Sequence, residues 1–201
     1  CGDVQSANRW FDDMQRAGFA MDKVSLGALI DAHAKARNPP GAEKWLQVAR
    51  DKSLDDITAY NAVINAYAIV GDAQSAVKTF EAAVARGLQV DSFSYGNVIS
   101  AYCSTSTPAK RIASRSQVDN HNLVQAEKWF ERFVNDENCE PPSEVVYGHM
   151  ATGYAKRGDP AGAQSWFYRC KEAGLHPKVE CYSAVMNAYA LRGDGPGAVK
   201  W

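Results

Sequence analysis

Apolar residues recur along this chain at spacings of three and four, and the arrangement returns at steps of 34, 35, 52 and 35 residues. The segment opening at Tyr60 carries Val63, Ile64 and Tyr67. Its relatives carry Leu26 with Leu29, Ile30 and His33; Tyr95 with Val98, Ile99 and Tyr102; Tyr147 with Met150, Ala151 and Tyr154; and Tyr182 with Val185, Met186 and Tyr189. Such spacing puts one stripe on one face of a helix and does not suit a strand.

A second helix alternates with these, marked by a small residue and a large apolar one four positions apart: Ala7 and Phe11 before the first segment, then Ala42 and Leu46, Ala76 and Phe80, Ala126 and Phe130, Ala163 and Phe167. The small member lets helices approach and the large one fills the space alongside. All five tryptophans, Trp10, Trp45, Trp129, Trp166 and Trp201, hold one recurring position, which in the first four is just before the large residue, and Thr79 is the exception. Between the two helices stands a glycine-aspartate pair at 2–3, 71–72, 158–159 and 193–194, with Asn38-Pro39 in the unit that lacks the glycine. Glycine can end one helix in the left-handed region, aspartate or asparagine can cap the next, and proline suits a first helical position. Gly18, Gly87 and Gly174 fall where second helices should stop.

The chain therefore divides into a leading half unit at 1–22, units at 23–56, 57–91, 92–143 and 144–178, and a cut unit at 179–201. A hairpin of this size cannot bury its apolar face alone, whereas stacked neighbours bury it together. This predicts an all-α solenoid. An ordinary helical bundle would not need one tryptophan position kept in five of six units.

Composition allows a continuous core, with 201 residues of which 46% are hydrophobic. No apolar run approaches the roughly 20 residues that span a bilayer, and no segment reads as a signal or transit peptide. The chain opens just before a second helix and stops inside another, the pattern expected of an excerpt from a longer array. Cys1, Cys103, Cys139, Cys170 and Cys181 are odd in number and contain no Cys-x-x-Cys pair, which argues against a disulfide framework or a zinc site. Cys103 and Cys170 are expected to pack within or beside helices. His33 stands where the other units have tyrosine, so a packed or hydrogen-bonded role is expected of it.

Catalytic motifs are not found. The run Arg192-Gly193-Asp194-Gly195-Pro196-Gly197 lacks the lysine and hydroxyl of a phosphate-binding loop and coincides with a turn between helices. Acid pairs such as Asp12-Asp13 and Asp55-Asp56 fall in an exposed helix and a turn, away from any convergent pocket. A non-enzymatic chain without metal or cofactor is the expectation.

At the level of whole strings, ITAYNAVINAYAIVGDAQSAVKTFEAAVARGLQVD at 57–91, with SFSYGNVISAY, VVYGHMATGYAKRGD, AEKWF and AGLHPKVECYSAVMNAYALRGD, resembles the pentatricopeptide repeat family over essentially the entire chain. Tetratricopeptide repeats arrange tryptophan, leucine and glycine differently. The resemblance implies a right-handed superhelix of hairpins whose first helices line the concave surface. It also implies a single-stranded RNA partner in a mitochondrion or plastid, read at about one base per repeat. The fifth residue of a repeat and the last residue before the next would read the base, which here are Asn61 with Asp91, a pair the family associates with uracil. The other pairs are Gly27 with Asp56, Gly96 with Ser143 and Gly148 with Lys178, while Ser183 has no partner within the chain. A glycine offers no side-chain group to a base edge.

One turn along the same face come Asp31, Asn65, Ser100, Thr152 and Asn187. Lys35 and Lys156 occupy a place where family members often meet the RNA backbone, and Asp31 would repel phosphate. Net charge is −1, so no overall basicity argues for nucleic acid. Three readings of the stripe stay open: a solvated face, an RNA groove or a protein-binding groove. In the unit at 92–143, residues 106–120 form an insertion expected to be a loop, whose Lys110, Arg111 and Arg115 could touch RNA phosphates or a larger assembly. The expected function is a non-catalytic RNA-binding module, and the alternative is a protein-interaction scaffold or structural subunit of a larger assembly.

Overall fold

The computed structural model describes residues 3–104 and 121–201 in full, together with the backbone of 115–120. Its helices are α1 (Val4–Arg16), α2 (Lys23–Lys35), α3 (Pro39–Asp51), α4 (Ile57–Val70), α5 (Ala73–Ala85), α6 (Ser92–Ser104), α7 (Arg115–Val134), α8 (Glu144–Ala155), α9 (Pro160–Glu172), α10 (Val179–Leu191) and α11 (Gly195–Val199). The architecture is an all-α solenoid of repeated hairpins. Two compact units are distinguished, Cys1–Ala101 and Tyr102–Trp201. In the first, α2 packs on α3 and α4, and α4 on α3 and α5; in the second, α8 packs on α9 and α10, and α10 on α9 and α11.

Turn chemistry sets where these helices start and stop. Asp56, Asp72, Asp159 and Asp194 each accept the backbone amide three residues on, so one orphan donor of every such helix is satisfied. Gly71, Gly158 and Gly193 take positive φ at the turns between paired helices. In the hairpin without that glycine, Arg37 itself adopts φ 55 and Asn38 caps α3. A side chain in this region is disfavoured, so the turn is imposed by the packing of α2 on α3.

The core repeats one aromatic scheme. Phe130 of α7 meets both Tyr147 of α8 and Trp166 of α9, with ring centroids 5.2 and 4.8 Å apart. Phe167 meets Tyr182 and Trp201, each at 4.8 Å. In the first unit Phe11 meets Trp45 at 5.0 Å and Phe80 meets Tyr95 at 5.0 Å. Edge-to-face geometry of this kind adds to simple area burial. The tryptophan position therefore bridges consecutive second helices at Trp45, Trp166 and Trp201, while Trp10 on α1 is 71% exposed.

A polar scheme accompanies it. The Tyr67 hydroxyl donates to Glu43 Oε2 at 2.6 Å, the Tyr154 hydroxyl donates to Glu127 Oε1 at 2.6 Å, and Gln164 Nε2 donates to the Tyr189 hydroxyl at 2.5 Å. Each bond joins a first helix to the second helix of the preceding hairpin. The acceptor or donor always follows the small alanine (Ala42, Ala126 or Ala163). Burial and the neighbouring carboxylate push the Tyr154 hydroxyl up to about 12 and raise that of Tyr67 further. His33 fills the tyrosine place, is buried, and has Nδ1 3.0 Å from Asn38 Nδ2. Burial lowers its pKa, with Lys44 adding to the effect.

Cys103, Cys170 and Cys181 are buried. Desolvation pushes the Cys103 thiol up to about 12 and the Cys181 thiol to about 11, which leaves both as inert packing groups. Among the described residues no helix is long and apolar enough to cross a membrane. The insertion expected as a loop over 106–120 differs in part: α7 begins at Arg115, so 115–120 are helical. The amphipathic pattern of the second helix extends N-terminally further than the serine and asparagine content suggests. Lys110 and Arg111 lie outside the described residues, as does the side chain of Arg115.

Candidate RNA-facing surface

Asn61 sits in the first turns of α4 and is half-buried, whereas its neighbours Tyr60 and Ile64 are buried. Its amide nitrogen donates to both carboxylate oxygens of Asp91, at 3.0 and 3.2 Å. The carboxylate is itself fixed, because Asp91 Oδ1 accepts the backbone amide of Ser94 at 2.9 Å at the start of α6. Asp91 thus belongs to a helix start and to the side chain of the preceding hairpin at once.

Ser94 closes the arrangement. Its hydroxyl donates to Asn61 Oδ1 at 2.6 Å and lies 3.0 Å from Asp91 Oδ1, and the residue is 0% exposed. The Asn97 amide donates to the Asn61 carbonyl at 3.2 Å, tying α6 to the α4 backbone. The Asn61 amide is therefore held in one orientation. One N–H and one carbonyl lone pair remain uncommitted by the inventory of an asparagine side chain. They form an adjacent donor and acceptor.

Ser94 was missed in the sequence. It is the third residue of its hairpin, and that position faces the fifth residue of the preceding one. Where the fifth residue is Gly148, the third residue of the next hairpin is Cys181, whose sulfur would lie 3.6 Å from a Cβ placed there. A buried serine three residues after a capping aspartate was the available signal. A serine at such a place also reads as an ordinary capping-box partner, so the signal was ambiguous.

The remaining stripe residues are less organised. Asn65 is half-buried one turn beyond Asn61, and Ser183 is exposed on α10. Lys35 is not a free cation: it forms an ion pair with Asp31 on the same helix face. The i,i+4 spacing that aligned both with the stripe also brought their charges together. Lys156 donates to the Cys103 carbonyl at 3.3 Å, near the C-terminal end of α6, where a cation is favoured by the unsatisfied carbonyls. Lys178 pairs with Glu144 at 2.8 Å, and that contact lowers the Glu144 pKa and raises that of Lys178. Exposed apolar side chains also flank the stripe, three positions before Gly27, Gly96 and Gly148: Val24, Phe93 and Val145. Among the described residues no group of three or more histidine, cysteine, aspartate or glutamate side chains could hold a metal ion.

Stacked hairpins with a polar face on their first helices define a helical-repeat protein. Three family profiles match this chain: PPR repeat over residues 24–54, PPR repeat family over 55–104 and pentatricopeptide repeat domain over 132–192. Together they take in more than two thirds of it, and the chain belongs to the pentatricopeptide repeat family. No curated protein sequence matches it significantly. Among solved structures it is similar to the pentatricopeptide repeat protein PPR10 in complex with an 18-nt psaJ RNA element, at 18% identity and a TM-score of 0.77. A triple cysteine-to-serine form of that complex gives the same values. The match covers 98% of this chain and 26% of PPR10, so the chain spans about a quarter of that protein's length.

Proposed function

We propose that the chain is a single-stranded RNA-binding repeat module with a non-catalytic role in RNA processing, translation or ribosome structure in a mitochondrion or plastid. The observation that carries this reading is the orientation of Asn61 by Asp91 and Ser94. An amide so fixed offers a donor and an acceptor to one base edge without losing rotamer freedom on binding, a benefit of preorganisation. Uracil presents the complementary pair of groups. The exposed Val24, Phe93 and Val145 supply apolar surface against which base faces can lie. The fold is shared with a protein captured on RNA.

Specificity in this reading is concentrated at one hairpin. Gly27, Gly96 and Gly148 have no base-reading group, and Lys35 and Lys178 are already paired with acids. The same observations favour a second reading, a protein-interaction scaffold. Binding of single strands that differ by one uracil, at fixed salt, separates the two. Asn61→Ala should lose roughly tenfold on the uracil strand, about 1.4 kcal/mol, and little on the others, while Gly148→Ala changes neither. Equal loss on every strand, or no binding at low salt, would sink base reading and favour the scaffold.

A further inference from the structure

The second helices carry a tryptophan that packs on the preceding second helix: Trp45 on Phe11, Trp166 on Phe130 and Trp201 on Phe167. In α5 that position is Thr79, and its counterpart on α3, the place held by phenylalanine elsewhere, is Leu46. Both partners are thus reduced at one junction. The result is a cleft of about 310 Å³ between α3, α4 and α5. Its floor is Leu46, Tyr60 and Thr79, all buried. The Thr79 hydroxyl is spent on the Ser75 carbonyl at 2.9 Å, so it does not fill the space.

We propose that this cleft binds the indole of a tryptophan side chain presented by an acidic segment of a partner protein. Size is the first argument: a cavity of roughly 150 Å³ already admits benzene, and this one is about twice that volume. Precedent within the chain is the second, since the equivalent junctions are filled by indoles at centroid separations of 4.8 to 5.0 Å. Charge is the third. Arg50 and Lys78 line the cleft, and Glu43, the acid beside them, accepts from the Tyr67 hydroxyl. At the filled junction Arg169 lies 3.9 Å over the Trp166 ring, which shows how a guanidinium covers an indole at this position. Ala82 holds the place of Arg169 here, but Arg50 and Lys78 bring cations to the same cleft from other positions and can pair with carboxylates beside an incoming ring. The site is separate from Asn61 and does not depend on RNA binding.

The test is fluorescence polarisation with the full chain and a labelled peptide carrying one tryptophan between two aspartates. Binding is expected in the high-micromolar range, typical of one anchoring side chain. Thr79→Trp fills the cleft from within and should weaken binding by at least about tenfold, while Thr79→Val leaves it open and should not. Charge reversal at Arg50 and Lys78 together should favour a peptide with lysines in place of the aspartates. Circular dichroism establishes that each variant is folded; if Thr79→Trp does not fold, the paired comparison of Thr79→Val with the charge reversal decides. Asn61→Ala should leave peptide affinity unchanged. Equal binding to a peptide with alanine for tryptophan, or undiminished binding by a folded Thr79→Trp, would overturn the proposal. So would displacement of the peptide by adenosine monophosphate with tighter affinity, which would make the occupant a nucleobase.

Discussion

Trp166 and Trp10 hold the same place in the repeat but opposite environments, so replacing each by alanine isolates what the position contributes. Trp166 is 2% exposed, meets Phe130 at 4.8 Å and lies 6.2 Å from Tyr147, with Arg169 over its face. A ring of this kind buries on the order of 200 Å², which at about 25 cal/mol/Å² gives at most ~5 kcal/mol. Large-to-small aromatic truncations in cores cost about 3–5 kcal/mol, the range expected for Trp166→Ala. Trp10→Ala, at a side chain 71% exposed, should stay within about 0.5 kcal/mol, as ordinary surface substitutions do. Urea unfolding followed by circular dichroism measures both. The Trp166 loss should be an interface term between hairpins, since stacked repeats gain stability from nearest neighbours. A double-mutant cycle with Phe130→Ala should then show coupling of about 0.5–1.5 kcal/mol. A Trp166→Ala cost below about 1 kcal/mol, or one equal to that of Trp10→Ala, would refute the inter-hairpin role of the position.

Other perturbations test the polar scheme. Because burial and Glu127 push the Tyr154 hydroxyl up to about 12, the folded chain holds that proton more tightly than the unfolded chain, where tyrosine titrates near roughly 10. Its contribution is whole below about pH 10 and lost as pH rises towards 12. Tyr154→Phe should flatten that alkaline decline in urea midpoint, and parallel curves would contradict it. A Cβ on Gly162 would lie 2.1 Å from Tyr154 Cδ1, so Gly162→Ala should destabilise by about 1–3 kcal/mol, whereas Gly195→Ala, with nothing within 4 Å, should be near neutral in the same thermal melt. Ser94→Ala leaves Asn61 Oδ1 without its donor and should cost about 1–3 kcal/mol. It should also narrow the difference between uracil and other strands, and an unchanged preference would separate Ser94 from the orientation of Asn61.

The helices were legible because each is specified several times over. Tyr60, Val63, Ile64 and Tyr67 fall on one stripe by spacing, and all four are buried. Gly71 and Asp72 mark the turn by their backbone preferences, and they form a left-handed cap and a helix start. Where the glycine is missing, at Arg37, tertiary packing imposes the same turn against the residue's preference.

At the candidate site, a side-chain pairing was legible only where it lies within one repeat frame. Asn61 and Asp91 are linked by their places at the ends of a single unit, and they meet. Ser94 belongs to the next unit, and its role comes from the stacking of α6 on α4, which no spacing within one hairpin reveals. The contacts of the lysines were hidden for a related reason. A sequence stripe shows which residues share a face but not that Lys35 reaches Asp31 or that Lys156 reaches the Cys103 carbonyl. The cleft at Thr79 shows the converse. The missing tryptophan was visible as a break in the pattern, but whether the helices close the gap depends on what faces it. Leu46 and Thr79 are both smaller than the residues at the filled junctions, and with Tyr60 and Tyr67 of α4 they line the opening that results. A substitution that breaks a repeat pattern thus becomes a candidate site only when the partner side chain is reduced along with it, and at this junction both are.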